Sequence, residues 1–284
     1  MIEFKNINLV YDVNTPDETI ALKDINFSID SGEFVAIIGH TGSGKSSLVK
    51  LFNGLEIATS GEILYNQENI YKKGYDLYKL KKKIGLVFQY PENQLFELDV
   101  LSDVCFGLLN YGVSQKDAVI KAKEALNLVG VDEKFYHMSP FELSGGLKRK
   151  VAIGGVLAMS PDILVLDEVT AGLDAKGKEK ILNLLKKLNT EKGRTIILVS
   201  HSMEDVAEYS QRILVMNQGT IRYNDIPKNI FKKISGLESI GLSVPKANHI
   251  VRQLKQRGLK VDVTAITIEE AKNTIMQAVG DFRG

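Results

Sequence analysis

The chain has 284 residues, 44% of them hydrophobic and 25% charged, enough to bury a sizeable core as a main domain with a small appendage. Its 36 Lys and Arg stand against 35 Asp and Glu, a formal net charge of +1, which gives no electrostatic reason to expect nucleic acid or an anionic membrane surface as a partner. A single cysteine, Cys105, excludes an internal disulfide and a cysteine-rich zinc site, and no apolar run approaches the ~18 to 20 residues of a membrane-crossing helix. The first residues alternate like a strand and lack the pattern of a cleaved signal, so the expected location is the cytosol or the cytosolic face of a membrane.

In chain order, two strand-like runs at 2–11 and 20–29 flank the polar turn Asn14-Thr15-Pro16-Asp17 and predict an antiparallel edge layer. The short apolar run 34–38 has the composition of a strand buried on both faces, as in a parallel sheet. Similar runs recur at 84–88, 163–166 and 195–199 with helical patterning between them, which predicts an α/β core. Between Gln89 and Leu143 the β-branched runs stop and helical periodicity takes over, predicting a helical subdomain, at about 90–160, inserted into the sheet domain. The first domain is expected to span 1–225. Beyond an Asp-Ile-Pro boundary at 225–227, helical stretches at 245–257 and 269–279 predict a C-terminal accessory region over 226–284. The lysine-rich runs 81–83 and 148–150 read as solvated faces, and Cys105 as a packing residue.

The segment Gly39, His40, Thr41, Gly42, Ser43, Gly44, Lys45, Ser46 fits a phosphate loop: two glycines with four residues between them, then Lys and Ser. It sits between a buried strand and a helix beginning near Ser47, so backbone N–H groups at a helix N-terminus can meet phosphates, with Lys45 reaching the β- and γ-phosphates and Ser46 ligating Mg²⁺. Asp167 and Glu168 close the strand run 163–166, where open α/β sheets bind ligands. Asp167 is expected to hold Mg²⁺ through water and Glu168, given a turn starting there, to act on the attacking water. His201 follows the next buried strand and is placed to touch the γ-phosphate.

At this point the sequence resembles the ABC ATPases. Leu143, Ser144, Gly145 and Gly146, followed by a helix and then the Asp167-Glu168 strand, look like their signature motif. Gln89 resembles the Q-loop glutamine that also ligates Mg²⁺, Asp174 belongs to a D-loop-like Ala-Gly-Leu-Asp, His201 resembles the switch histidine and Tyr11 the aromatic that stacks on adenine. The resemblance implies the ABC ATPase fold, a mainly parallel nucleotide-binding core with an antiparallel β layer, and two ATPases facing head to tail. Each ATP then lies between one chain's phosphate loop (through Ser47) and the partner's signature loop.

Within that family the segment 88–97, the residues after the signature and the C-terminal stretch resemble the ATPases of energy-coupling factor transporters, in particular the second of their two paralogues. This implies ATP and Mg²⁺ as cofactors, a paralogous ATPase as heterodimer partner, a transmembrane coupling subunit contacted through Pro91, Gln94, Leu95 and Phe96, and exchangeable substrate-binding membrane proteins for vitamins or transition-metal ions. It also implies that the C-terminal region helps hold the two ATPases together. Two positions depart from the pattern: Leu147 stands where Gln is usual, and Val169 where Pro is usual. A nucleic-acid-directed or ribosomal ABC ATPase is the alternative, but one phosphate loop and no sustained heptads argue against it, and the acidic pair with His201 argues against a nucleotide sensor without catalysis.

Overall fold

The computed structural model describes residues 1–280; residues 281–284 of the expected C-terminal region lie outside the described residues. Ten strands and eleven α-helices alternate along them. Strands β1 (Ile2–Tyr11) and β2 (Thr19–Ile29) pair antiparallel, as the turn-separated runs require. Strand β3 (Phe34–Ile38), buried at every position, runs into helix α1 (Lys45–Phe52). Next come β4 (Ser60–Tyr65), β5 (Glu68–Asn69), α2 (Leu77–Lys83) and β6 (Ile84–Val87).

The helical insertion holds α3 (Val100–Asn110), α4 (Gln115–Leu128) and α5 (Gly145–Ala158). Asp99 and Ser114 cap the first two, accepting from the amides of Ser102 and Asp117; such caps satisfy first-turn donors that no intrahelical carbonyl can reach. The chain then returns through β7 (Ile163–Asp167), α6 (Ala175–Lys192), β8 (Thr195–Val199), α7 (Met203–Tyr209), β9 (Arg212–Asn217) and β10 (Thr220–Asp225). It ends in α8 (Pro227–Ile230), α9 (Ile234–Glu238), α10 (Lys246–Gln256) and α11 (Ile268–Gly280).

Two sheets result. The larger has the order β10-β9-β3-β8-β7-β6, parallel from β9 through β6 with only β10 antiparallel. The smaller, β2-β1-β4-β5, is antiparallel throughout. One apolar core fills the space between the sheets around α1, and a second lies on the opposite face of the large sheet and continues into the helical insertion, where Cys105 packs and burial pushes its thiol pKa up. Strands β4, β5, β9 and β10 were not foreseen: Ser60–Tyr65 opens with Ser-Gly-Glu, and the Arg212 run begins and ends on polar residues, so neither has the uninterrupted apolar composition of the central strands.

The C-terminal helices do not stand apart from the sheet. Ile230, Phe231, Leu237 and Leu242 share a core with Ile38, Val206 and Val215, while Ala247, Val251, Val261 and Ala271 form a small core of their own. At the N-terminal ends of the parallel strands, Asp162 accepts from the Tyr65 hydroxyl at 3.3 Å and pairs with Lys83 and Arg194, each at 3.1 Å. Burial first, then the neighbouring Asp162 carboxylate, push the Tyr65 phenol up to about 12. No helix among the described residues is long and apolar enough to cross a membrane.

Candidate nucleotide site

All the strands that build the site end at one edge of the large sheet. Between β3 and α1 the backbone turns back on itself, with Gly44 at φ 100°, a left-handed conformation that side chains rarely adopt. A Cβ there would lie 2.7 Å from the Ala21 carbonyl, and one on Gly39 would lie 2.6 Å from the Met216 carbonyl, so both positions are closed to larger residues. The predicted helix from Ser47 in fact starts at Lys45, which brings the lysine and both serines into its first turn.

Lys45 is buried, and its ammonium donates to the carbonyls of Gly39 at 2.8 Å and His40 at 2.9 Å. Burial lowers its pKa, and the Glu168 and Asp167 carboxylates oppose that shift. Asp167, 5% exposed at the end of β7, is raised by the same desolvation, with the hydroxyl hydrogen bond from Ser46 acting in the other direction. Two hard oxygen donors, those of Ser46 and Asp167, therefore adjoin one another beside the lysine.

Glu168 does adopt the turn its role required. Its φ is 51° and its amide donates to the Val199 carbonyl at 3.1 Å, so the strand ends there and the side chain swings to the same edge as Asp167. One carboxylate oxygen meets His201 Nε2 at 2.5 Å, and the other accepts from Gln89 Nε2 at 2.9 Å. Three residues from three segments thus meet on one carboxylate.

A cleft of about 400 Å³ is lined by Thr41, Gly42, Gly44, Lys45, Ser46, Gln89, Glu168 and His201 at one end and by Tyr11 with Ile20 and Ala21 at the other. That volume suits a small organic ligand. The Tyr11 hydroxyl lies 3.3 Å from that of Ser47, which also lines the cleft. His40 does not present its ring to the cleft: the imidazole lies between the Thr41 carbonyl and Asn217 Oδ1, leaving only its backbone in the loop. Ser43 is buried, and its hydroxyl has no partner among the described residues.

Leu143, Ser144, Gly145 and Gly146 lie away from this cleft. Leu143 is buried in the helical core, whereas Ser144 and Gly145 are exposed at the start of α5, and the Ser144 hydroxyl caps nothing. The first-turn amides of α5 are therefore free to meet an anion from outside the chain. Asp174 caps α6 instead of pointing into the cleft, accepting from the Gly177 amide at 3.1 Å.

Two expectations need correction. Pro91 and Leu95 are buried, so neither offers a contact surface; of that segment Gln94 and Phe96 are exposed, with the Phe96 ring edge-on to Phe106. Arg149 is not on a solvated face: it is 6% exposed and forms a two-pronged pair with Glu92, at 2.7 and 3.1 Å. Helical spacing held the clue, since Ala152 and Ile153, three and four residues on, are buried on the same face of α5. Its partner Glu92, 57 residues away in sequence, left no local signal. Leu147, noted above as standing where Gln is usual, packs against the helical core.

Val169 is fully buried in that same core, and among the described residues its amide donates no hydrogen bond. Val169→Pro therefore breaks no backbone pairing. It does push Glu168 toward extended backbone, against its φ of 51°. We expect nucleotide binding to be intact, hydrolysis to change modestly and stability to fall by about 1–2 kcal/mol, read from ATPase assays and thermal melts; a collapse of folding would show that this turn tolerates no fixed φ at its second residue.

A family model described as "ABC transporter" matches residues 22–171. Over 276 residues the chain is 49% identical to the energy-coupling factor transporter ATP-binding protein EcfA2 of Caldanaerobacter subterraneus subsp. tengcongensis, covering 97% of this chain and 96% of that protein. Against EcfA2 of Clostridium tetani it is 47% identical over 277 residues, again 97% and 96%. Among solved structures, cbiO1 from Clostridium perfringens, part of the ABC transporter complex cbiONQ, aligns with a TM-score of 0.73 at 37% identity, over 88% of this chain and 98% of that one. The dimeric ATP-binding cassette MJ0796 bound to ADP and Pi gives 0.73 at 33% identity, over 80% and 99%.

Proposed function

The chain belongs to the ABC transporter family, among the energy-coupling factor transporter ATP-binding proteins, and from that premise we propose how its residues divide the work and what they assemble with. It is an ATP hydrolase, the ATP-binding subunit of an energy-coupling factor importer. The observation that carries the assignment of roles is the convergence of the Lys45 loop, Glu168, Gln89 and His201 on one cleft, with Asp167 hydrogen-bonded to Ser46 behind it.

Amides of the 39–46 loop and the Lys45 ammonium bind the phosphates, and Tyr11 stacks on the adenine at the outer end. Ser46, Gln89 and Asp167 are the residues that would hold Mg²⁺. Among the described residues no group of three or more His, Cys, Asp or Glu side chains is placed to hold a metal, which fits an ion that takes few protein ligands and completes its shell with phosphate oxygens and water. Held by these residues, Mg²⁺ would supply charge neutralisation to the phosphates. Glu168 accepts a proton as water attacks the γ-phosphorus and the bond to the bridging oxygen breaks, releasing ADP; His201 and the Gln89 amide hold the carboxylate and the γ-phosphate in register.

Ser144, Gly145 and Gly146 serve a second ATPase, in our reading a paralogue, whose own signature loop completes this cleft. The hydrolysis cycle closes and opens that pair. The domains are an ATPase domain at 1–225, with its helical insertion at about 90–160, and an accessory region from 226 that helps hold the pair together. Gln94 and Phe96 meet a transmembrane subunit shared with exchangeable substrate-binding membrane proteins that import vitamins or transition-metal ions. The chain then sits peripherally on the cytoplasmic face of the cell membrane and uses no nucleic acid.

Co-purification from native membranes on a tag carried by this chain tests the assembly. Recovery of a paralogous ATPase and a multi-span membrane protein is expected. Gln94→Ala with Phe96→Ala should reduce the membrane protein several-fold while retaining the ATPase, since truncating a central aromatic contact typically costs about 2 kcal/mol or more. Unchanged recovery and transport would remove these two residues from the interface.

A further inference from the structure

The Arg149–Glu92 pair lies outside the cleft and outside every role assigned above. Glu92 stands in a short 3-10 turn (Pro91–Gln94), three residues after Gln89. Arg149 stands in the second turn of α5, whose first residues are the signature glycines. Both nitrogen prongs of the guanidinium that face Glu92 are used, at 3.1 Å and 2.7 Å, and both side chains are largely shielded from water. The third nitrogen faces Gly172: a Cβ at that glycine, whose φ is 75°, would lie 3.5 Å from it. Gly172 belongs to the loop that leads from Glu168 to the Asp174 cap.

One guanidinium therefore binds the segment that leaves Gln89 and lies beside the segment that leaves Glu168, and it is carried by the helix that presents Ser144, Gly145 and Gly146. On the cleft side those two segments are already joined, because Gln89 donates to Glu168. We infer that Arg149 is a positioning residue that ties the state of this chain's own nucleotide cleft to the placement of the signature loop it offers its partner. The planar fork matters: a bidentate pair fixes orientation as well as distance, which a lysine ammonium does not. When nucleotide draws Gln89 or Glu168 to a new position, the Glu92 turn and the Gly172 loop shift against the guanidinium, and α5 must follow. Coupling of this kind is a free energy shared between two sites.

The inference rests on the reading of Ser144 to Gly146 as a partner's ligand, and its test separates the two. In the reconstituted transporter, Glu92→Gln, Arg149→Lys and their combination are compared for affinity toward a fluorescent ATP analogue, for kcat and KM, and for substrate taken up per ATP. We expect unchanged nucleotide affinity and KM, kcat lowered roughly tenfold, within the range that coupling networks carry, less uptake per ATP, and a double variant no worse than either single one. Glu92→Gln keeps the shape of the turn and guards against simple misfolding. Wild-type kcat and coupling in both single variants would overturn the inference, as would a raised KM at unchanged kcat, or a lowered melting temperature with full turnover in the folded complex. If instead the Glu168→Gln complex fails to accumulate a closed pair of ATPases, it is the two-site reading itself that falls, whatever Arg149 does.

Discussion

Glu168→Gln leaves ATP bound and all but stops its hydrolysis: turnover is expected to fall by about 10²–10⁴-fold, the usual contribution of a positioned base. The substitution is nearly isosteric and preserves the turn at φ 51°, so nothing in the loop or the sheet edge changes shape. What changes is the acceptor. A carboxylate that meets His201 on one oxygen and Gln89 on the other becomes an amide that cannot take a proton from water. ATP binding remains, and with the nucleotide in this cleft uncleaved the two ATPases stay closed on it. Size-exclusion chromatography with ATP and Mg²⁺ should show the dimer persisting, while the unmodified protein returns to its open form as phosphate is released. Rapid hydrolysis by this variant would strip Glu168 of its role.

Lys45→Ala acts one step earlier. The ammonium is held by the carbonyls of Gly39 and His40 before any ligand arrives, so the charge is already inside the loop and little rearrangement is needed to meet phosphate. Removing it takes a donor from both carbonyls, leaving that of His40 only the Ser43 amide, and places the phosphates next to Asp167 and Glu168, the two carboxylates that favour the charged lysine, without the ammonium to offset them. We expect turnover to drop by about 10²–10³, as for the loss of one preorganised donor to developing charge, together with weaker ATP binding in a filter or fluorescence titration. The two variants are distinguishable in one experiment: Glu168→Gln keeps nucleotide and loses turnover, whereas Lys45→Ala loses both.

How much of this was legible beforehand depends on the range of the interactions. The phosphate loop and the paired acids are local: around the loop, strand, turn and helix follow one another within residues 34–52, and the apolar runs 34–38 and 163–167 have the composition of strands buried on both faces. The turn at Glu168 was likewise inferable from alternation along a strand. Strands β4 and β9 were missed because their stability comes from neighbours distant in sequence: Ser60–Tyr65 pairs with β1, and Arg212–Asn217 with β3. The Arg149–Glu92 pair failed for the same reason, compounded by two flanking lysines that make the run look uniformly solvated. The opposite error at Leu95 came from treating a motif as a surface, when alternate residues of a short turn face opposite ways: Leu95 packs inward and Phe96 outward.

The far edge of the large sheet has its own bearing on how the molecule works. Asp162 fastens the ends of β4 and α2 and the starts of β7 and β8 with a hydroxyl and two cations, and the Lys83 carbonyl and the Thr195 amide add backbone hydrogen bonds at the same place. Individually such exposed pairs are weak, but several sharing one carboxylate act together. A book bound along its spine opens only at the fore-edge. With the strand starts bound, whatever displacement ATP produces at the strand ends is forced to be angular, a turn about that fastened edge.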